Sequence, residues 1–138
     1  MGFDRFGTVS FASQTKVEDF VDRLYGGKVS GTLCKNCGTT YFPPRADCCR
    51  CLTSEMDWFD VKGTGKLVSF STLNYAPTGF EKELPYSIGL VRFSGGVQVF
   101  GRISKTIPLK EITIGMDLLV SPVELPGNRI VYEFRKAL

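Results

Sequence analysis

A mainly β protein, built as a short N-terminal helix, a metal-organised ribbon and a five-stranded barrel, is what this 138-residue sequence predicts. Three observations carry that expectation. Cys34, Cys37, Cys48 and Cys51 form two Cys-x-x-Cys pairs with ten residues between them. A single apolar stripe of helical spacing precedes them, and beyond Asp60 the chain turns to β-branched and aromatic runs punctuated by Gly and Pro. The expected divisions are an arm and helix over 1–28, a ribbon over 29–59 and a barrel over 60–138.

The helix is signalled by Thr15 followed by Glu18, a capping box in which hydroxyl and carboxylate satisfy free N–H groups. Val17, Phe20, Val21 and Leu24 then recur at i, i+3, i+4 and i+7, and Gly26-Gly27 supplies a left-handed stop. Residues 1–14 have no sustained period and read as a loosely held arm. Its Phe3, Phe6 and Phe11 are expected to pack on the protein's own surface, with a partner as the alternative.

The cysteine quartet reads as a tetrahedral structural metal site. Two thiolates from one turn and two from another fill the four-coordinate shell that structural zinc prefers, leaving no position for a water nucleophile. Cys49 competes with Cys48 for the third position, but Cys48 and Cys51 repeat the two-residue gap of Cys34 and Cys37, so Cys49 is expected to be a free thiol. Gly38 suits a knuckle that turns through positive φ, and the second pair has no such glycine. An odd cysteine count, with no secretory leader read at the N-terminus, argues against a disulfide scaffold. Pro43 and Pro44 argue against a thioredoxin-like helix start, whereas iron of the rubredoxin type shares the ligand set and stays open. Lys35, Arg45 and Arg50 stand close enough in sequence to offset the charge of four thiolates.

Within the ribbon, extended pieces are expected at Val29–Leu33, Thr39–Phe42 and Met56–Phe59. Some thirty residues bury too little apolar surface to fold alone, so the metal has to contribute much of their stability. Five barrel strands are marked at Gly65–Tyr75, Tyr86–Phe93, Val97–Ile103, Leu118–Leu125 and Arg129–Phe134. Ser94-Gly95-Gly96 and Pro126-Gly127-Asn128 read as hairpin turns, and Ile130, Tyr132 and Phe134 alternate with Arg129, Glu133 and Arg135 as inside against outside. Five strands in so short a stretch favour an OB-fold over an SH3-like barrel, with its long connection at Pro108–Gly115.

Composition narrows the function. Apolar residues make up 43% and charged residues 22%, a globular balance, and no apolar run reaches the roughly 18 residues of a membrane-spanning helix. A cytoplasmic protein is expected. The net charge of +3 is spread along the chain, which weakens a nucleic-acid reading. There is no histidine, so Ser-His and Cys-His nucleophile pairs and an imidazole acid or base are excluded.

The motifs together carry a resemblance. Gly26-Gly27-Lys28, Cys34-Lys35-Asn36-Cys37-Gly38, Tyr41-Phe42-Pro43-Pro44-Arg45, Cys48 to Cys51, Trp58, Gly63-Thr64-Gly65, Phe80 and Pro85-Tyr86-Ser87-Ile88-Gly89 resemble the zinc-ribbon and OB-fold family of acyl-CoA-associated proteins. The likeness runs from about Thr15 to Phe134. One departure is Cys49, where that family often has proline. The resemblance implies a non-catalytic accessory subunit of a thiolase-superfamily enzyme, such as acetoacetyl-CoA thiolase with hydroxymethylglutaryl-CoA synthase, with zinc as a structural ion and coenzyme A or acyl-CoA as ligand. Coenzyme A offers phosphates that want Arg or Lys and a pantetheine arm that wants an apolar channel. On that implication Phe80 and Tyr86 are candidates to line the arm, and Lys28, Arg45 and Arg102 are the cationic candidates. For each of the five, core packing or surface charge is the competing role. The loop Asn74–Pro85 is long enough to reach across such a cleft. A single-stranded nucleic-acid binder is the alternative function, since OB barrels use aromatic platforms and basic grooves for that purpose.

Overall fold

The computed structural model describes residues 3–8, 15–75, 78 and 85–137. Helix α1 spans Asp19–Tyr25 and buries Phe20, Val21 and Leu24 on the stripe that the spacing predicts. Its start differs from a capping box. The Thr15 hydroxyl accepts from the Val17 N–H at 2.9 Å, while Glu18 itself stands at the N-cap and makes no side-chain capping bond. The reason is a tight turn ahead of the helix: the N–H groups of Phe20 and Val21, which a side chain at the N-cap would meet, already donate to the carbonyls of Val17 and Glu18. The other end follows the sequence closely. Gly27 takes φ +85°, Gly27 N–H donates to Leu24 O and Lys28 N–H to Arg23 O, a Schellman closure that only a residue tolerant of positive φ permits without strain.

The ribbon is a three-stranded antiparallel sheet of order β2-β1-β3, with β1 at Ser30–Cys34, β2 at Thr40–Tyr41 and β3 at Met56–Asp60. Each strand lies within a residue or two of its expected place. Gly31 is required at its centre, because a Cβ there would meet the Tyr41 carbonyl of one neighbour and lie 2.9 Å from the Phe59 ring of the other.

Five strands close the barrel in the order β4-β5-β6-β8-β7: Gly65–Leu73, Tyr86–Arg92, Gln98–Ile103, Asp117–Leu125 and Arg129–Lys136. Closure comes from two short pairings. Gly65 and Lys66 of β4 pair antiparallel with Leu118 and Asp117 of β7, and Arg102 and Ile103 of β6 pair parallel with Glu133 and Phe134 of β8. Strand β4 stops at Leu73, two residues earlier than expected, and Tyr75 is exposed. The two hairpin turns form as expected, using positive φ at Gly95 and Gly96 in one and at Gly127 and Asn128 in the other. The long connection carries a 3-10 turn at Leu109–Glu111 and inserts Ile107 and Ile112 into the core.

Two apolar clusters hold the molecule together. Leu67, Val91, Val99, Ile103, Leu118 and Phe134 fill the barrel, while Phe20, Val21, Leu24, Val29 and Ile130 bury the helix against β8. Phe42, Val120 and Tyr132 touch both, so helix, ribbon and barrel share one continuous interior. Phe3 and Phe6 pack on Phe20 with ring centroids 5.9 and 5.6 Å apart, on the protein's own surface as expected; Phe11 lies outside the described residues. Asp60 adds a polar tie between the parts, accepting from the Ser30 hydroxyl at 2.7 Å and from the Arg23 guanidinium at 3.4 Å.

Candidate functional site

The metal centre is made by two turns of the same build. In Cys34-Lys35-Asn36-Cys37-Gly38-Thr39 the Cys34 N–H donates to Thr39 O and the Gly38 N–H to Cys34 O. In Cys48-Cys49-Arg50-Cys51-Leu52-Thr53 the Cys48 N–H donates to Thr53 O and the Leu52 N–H to Cys48 O. Gly38 takes φ +75° and Leu52 takes φ +57°, so the second knuckle adopts the left-handed turn without a glycine. All four sulfur atoms lie within 4.8 Å of one another. The Cys37 and Cys48 sulfurs are 3.7 Å apart, which matches the edge of about 3.8 Å that a tetrahedron with 2.3 Å zinc–sulfur bonds requires.

Polar groups around the sulfurs are placed to stabilise thiolates. The Asn36 amide donates to Cys51 Sγ at 3.2 Å, the Cys51 N–H to Cys48 Sγ at 3.4 Å, and Thr39 Oγ1 lies 3.0 Å from Cys37 Sγ. Hydrogen bonding from the Tyr41 hydroxyl, aided by the Cys51 N–H, brings the Cys48 thiol down to about 6, and Thr39 lowers Cys37, whereas Cys51, despite the Asn36 amide, is pushed up to about 11 by the neighbouring Cys37 and Cys34. Cys49 lies beside this shell: its N–H donates to the Tyr41 hydroxyl at 3.1 Å, its sulfur is 3.2 Å from that oxygen, and it is exposed. Zinc fits these residues. Cys34, Cys37, Cys48 and Cys51 would hold it, and what it supplies is a cross-link between the two turns.

A second site lies on the outer face of the barrel. The groove there has a volume of about 330 Å³ and is lined by Tyr86 and Ile88 of β5, Phe100 and Arg102 of β6, and Val131 and Tyr132 of β8. Its remaining wall is the N-terminal arm, through Phe6, Gly7 and Thr8. The arm is tied down by the Gly7 N–H donating to Ile130 O at 2.8 Å and by Arg129 Nε donating to Gly7 O at 2.6 Å, while Phe6 bridges to Ile130 in parallel. These bonds extend the sheet along the part of β8 that β6 has left. Gly101 keeps the groove floor low, since a Cβ there would sit 2.8 Å from the Tyr132 ring.

Of the five residues proposed to meet a ligand, the structure brings Tyr86 and Arg102 to this one groove. Arg45 is elsewhere, stacked 5.4 Å over the Tyr41 ring in a cleft between ribbon and barrel, its backbone held by Thr32 Oγ1. Lys28 stands 3.9 Å from Asp60 beside the helix. Phe80 and most of its loop lie outside the described residues. The sequence reading missed Phe6, Gly7, Ile88 and Phe100. Ile88 and Phe100 follow the same alternation as Tyr86 and Arg102, so strand periodicity was the signal available for them.

Residues 22–57 match the model for the ChsH2 rubredoxin-like zinc ribbon domain, and residues 58–121 match that for the ChsH2 C-terminal OB-fold domain. The two matches abut and run without a gap from residue 22 to residue 121. This chain belongs to the ChsH2 zinc-ribbon and OB-fold family. A DUF35 domain-containing scaffold protein of Methanocaldococcus jannaschii is 37% identical over 89 residues, covering 64% of this chain and 62% of that protein. One of Pyrococcus furiosus, also described as a DUF35 domain-containing scaffold protein, is 33% identical over 96 residues, covering 70% of this chain and 65% of its own. The alignments therefore span less than two thirds of either relative. Among solved structures, a chain of the Ltp2-ChsH2(DUF35) aldolase superposes with a TM-score of 0.79, covering 94% of this chain and all of that one. At 22% identity it shows the shared fold. Membership in the ChsH2 family fits a structural zinc at the cysteine quartet, whose four thiols leave no open position.

Proposed function

We propose that this protein is a non-catalytic, cytoplasmic scaffold or accessory subunit that binds acyl-CoA and associates with an enzyme of the thiolase superfamily. The observation that carries the reading is the groove of Tyr86, Ile88, Phe100 and Arg102: an apolar trough with one cation among its described lining residues. An acyl chain is apolar, a pantetheine arm is uncharged and interrupted only by its amides and hydroxyl, and both are joined to an anionic nucleotide, which is the chemistry such a trough recognises. Four of the five thiols surround the metal position and no histidine is present, so the chain offers no imidazole acid or base and no Cys-His pair. The relatives' description as scaffold proteins agrees with this role.

The nucleic-acid alternative asks for several cations along a groove, and this one lines its wall with a single arginine. The deciding experiment is affinity purification from the native source with mass-spectrometric identification of partners, joined to calorimetry with acyl-CoA. A thiolase-like enzyme should be recovered and acyl-CoA should bind the complex. Recovery of the protein alone, with no heat from acyl-CoA, would sink the proposal.

A further inference from the structure

Tyr86 lines two cavities. Besides the groove it borders a second hollow of about 320 Å³ at the end of the barrel, bounded by Ser87 and Ile103 of β5 and β6 and by Ser104, Lys105 and Leu109 of the long connection. Adjacent β6 residues face opposite ways, so Arg102 belongs to the groove and Ile103 to the hollow. The two hollows differ in chemistry. Each holds one cation among its described lining residues: the half-buried Arg102 stands among the aromatic and aliphatic walls of the groove, whereas the exposed ammonium of Lys105 opens on the barrel-end hollow, whose Ser87 and Ser104 hydroxyls are buried and bonded to Thr72 and Thr106. Among the described lining residues neither holds an Asp or Glu, and the charged ones are Arg102 and Lys105. Lys105 is exposed and makes no ion pair among the described residues.

We propose that the two hollows are one ligand channel bent around Tyr86, with the apolar arm of an acyl-CoA in the groove and its phosphorylated end held by Lys105. This rests on the acyl-CoA reading above and goes beyond it by naming a second compartment and the cation that serves it. Charge complementarity sets the polarity of the ligand. A chain with an uncharged tail and several negative charges at one end places that end at the solvent-facing ammonium of Lys105, where the phosphates stay hydrated, and its tail along the groove, whose cation is half-buried among apolar walls.

The test uses the full-length protein with two probes that share an acyl arm, octanoyl-CoA and S-octanoyl-pantetheine, the second lacking every phosphate. Lys105→Ala should weaken octanoyl-CoA about fivefold, the size of one exposed charge pair, and leave S-octanoyl-pantetheine unchanged. Lys105→Arg should restore the loss, and the difference between wild type and Lys105→Ala should shrink at high salt. Lys110→Ala, a neighbour on the same connection that lines neither hollow, should change nothing. If Lys105→Ala and Lys110→Ala weaken octanoyl-CoA equally, or Lys105→Ala has no effect while the wild type binds both probes, the channel is overturned and the acyl-CoA reading stands. A wild-type protein that binds neither probe overturns the channel, and the acyl-CoA reading is then decided by calorimetry on the complex.

Discussion

Tyr132 ties three parts of the structure together through one ring and one hydroxyl. Its ring packs edge-on against Phe20 and Phe42, at centroid distances of 6.2 and 5.5 Å, and so joins helix, ribbon and barrel. Its hydroxyl donates to Phe100 O at 2.6 Å, fixing the strand that carries the exposed groove aromatic. Partial burial pushes the phenol up to about 12, because the phenolate is less well solvated there than in open water. A folded-state value above the unfolded one of about 10 means that the stabilisation is complete below pH 10 and is lost as pH rises through 12. Alkaline titration should therefore lower the melting temperature between pH 10 and 12. In Tyr132→Phe that part of the decline should disappear, at a cost near neutrality of about 1 kcal/mol for the lost hydrogen bond. Thermal melts of both proteins across that window check the expectation; identical alkaline profiles would show that Tyr132 does not set it. Tyr86 and Arg102 could be proposed from sequence, but their meeting could not, since it depends on β5 and β6 running antiparallel with Ile88 opposite Arg102.

The two metal knuckles, as elements, show where sequence was sufficient. Cys-x-x-Cys followed by a residue at positive φ is a complete local instruction, and Gly38 announced it. The second knuckle hid the same geometry behind Leu52, which is 86% exposed and holds φ +57° because the hydrogen bonds of its turn leave no other choice. A left-handed leucine costs about 1–2 kcal/mol, and glycine returns part of that gain through its greater freedom when unfolded. Leu52→Gly is accordingly expected to stabilise the metal-loaded protein by about 0.5–1 kcal/mol. Denaturant unfolding at fixed zinc concentration measures this directly, and a destabilised variant would mean that the exposed leucine makes a contact worth more than its backbone strain. The expected capping box fell short for the opposite reason. Thr15 and Glu18 had the right spacing, but a turn at Thr15 delays the helix to Asp19 and moves Glu18 to the N-cap, where the N–H groups its side chain would meet already donate to backbone carbonyls.

At the level of the whole molecule, stability is divided between a ribbon that depends on a metal and a barrel with its own core. The ribbon contributes Cys34 and Cys48 as fully buried residues, and structural zinc in such modules is worth about 10–16 kcal/mol. Stripping zinc with a strong chelator should abolish the β1–β3 sheet first and leave the barrel core of Leu67, Val91, Val99 and Phe134 protected. Amide hydrogen exchange resolves the two parts: early loss of protection at Thr32 and Leu33 with retention at Val91 and Val99 is the expected result, and simultaneous loss in both would show a single cooperative unit. The shared residues Phe42 and Tyr132 make some loosening of the helix the natural next step.

Local pattern alone settled the elements of this protein: the helix stripe, the four-thiol metal site, the eight strands to within a residue or two and the five-stranded barrel. Each follows from residues near one another in the chain, through periodicity, turn chemistry or ligand spacing. Tertiary structure decided everything that requires distant residues to meet. It brought Phe6 and Gly7 onto Ile130, roofed a groove that no segment encodes by itself, placed Arg45 and Lys28 away from Tyr86 and Arg102, and set Lys105 at a second hollow across Tyr86. The physical reason is that a binding site is a juxtaposition of surfaces, and strand order, register and barrel closure fix that juxtaposition only after the chain has folded.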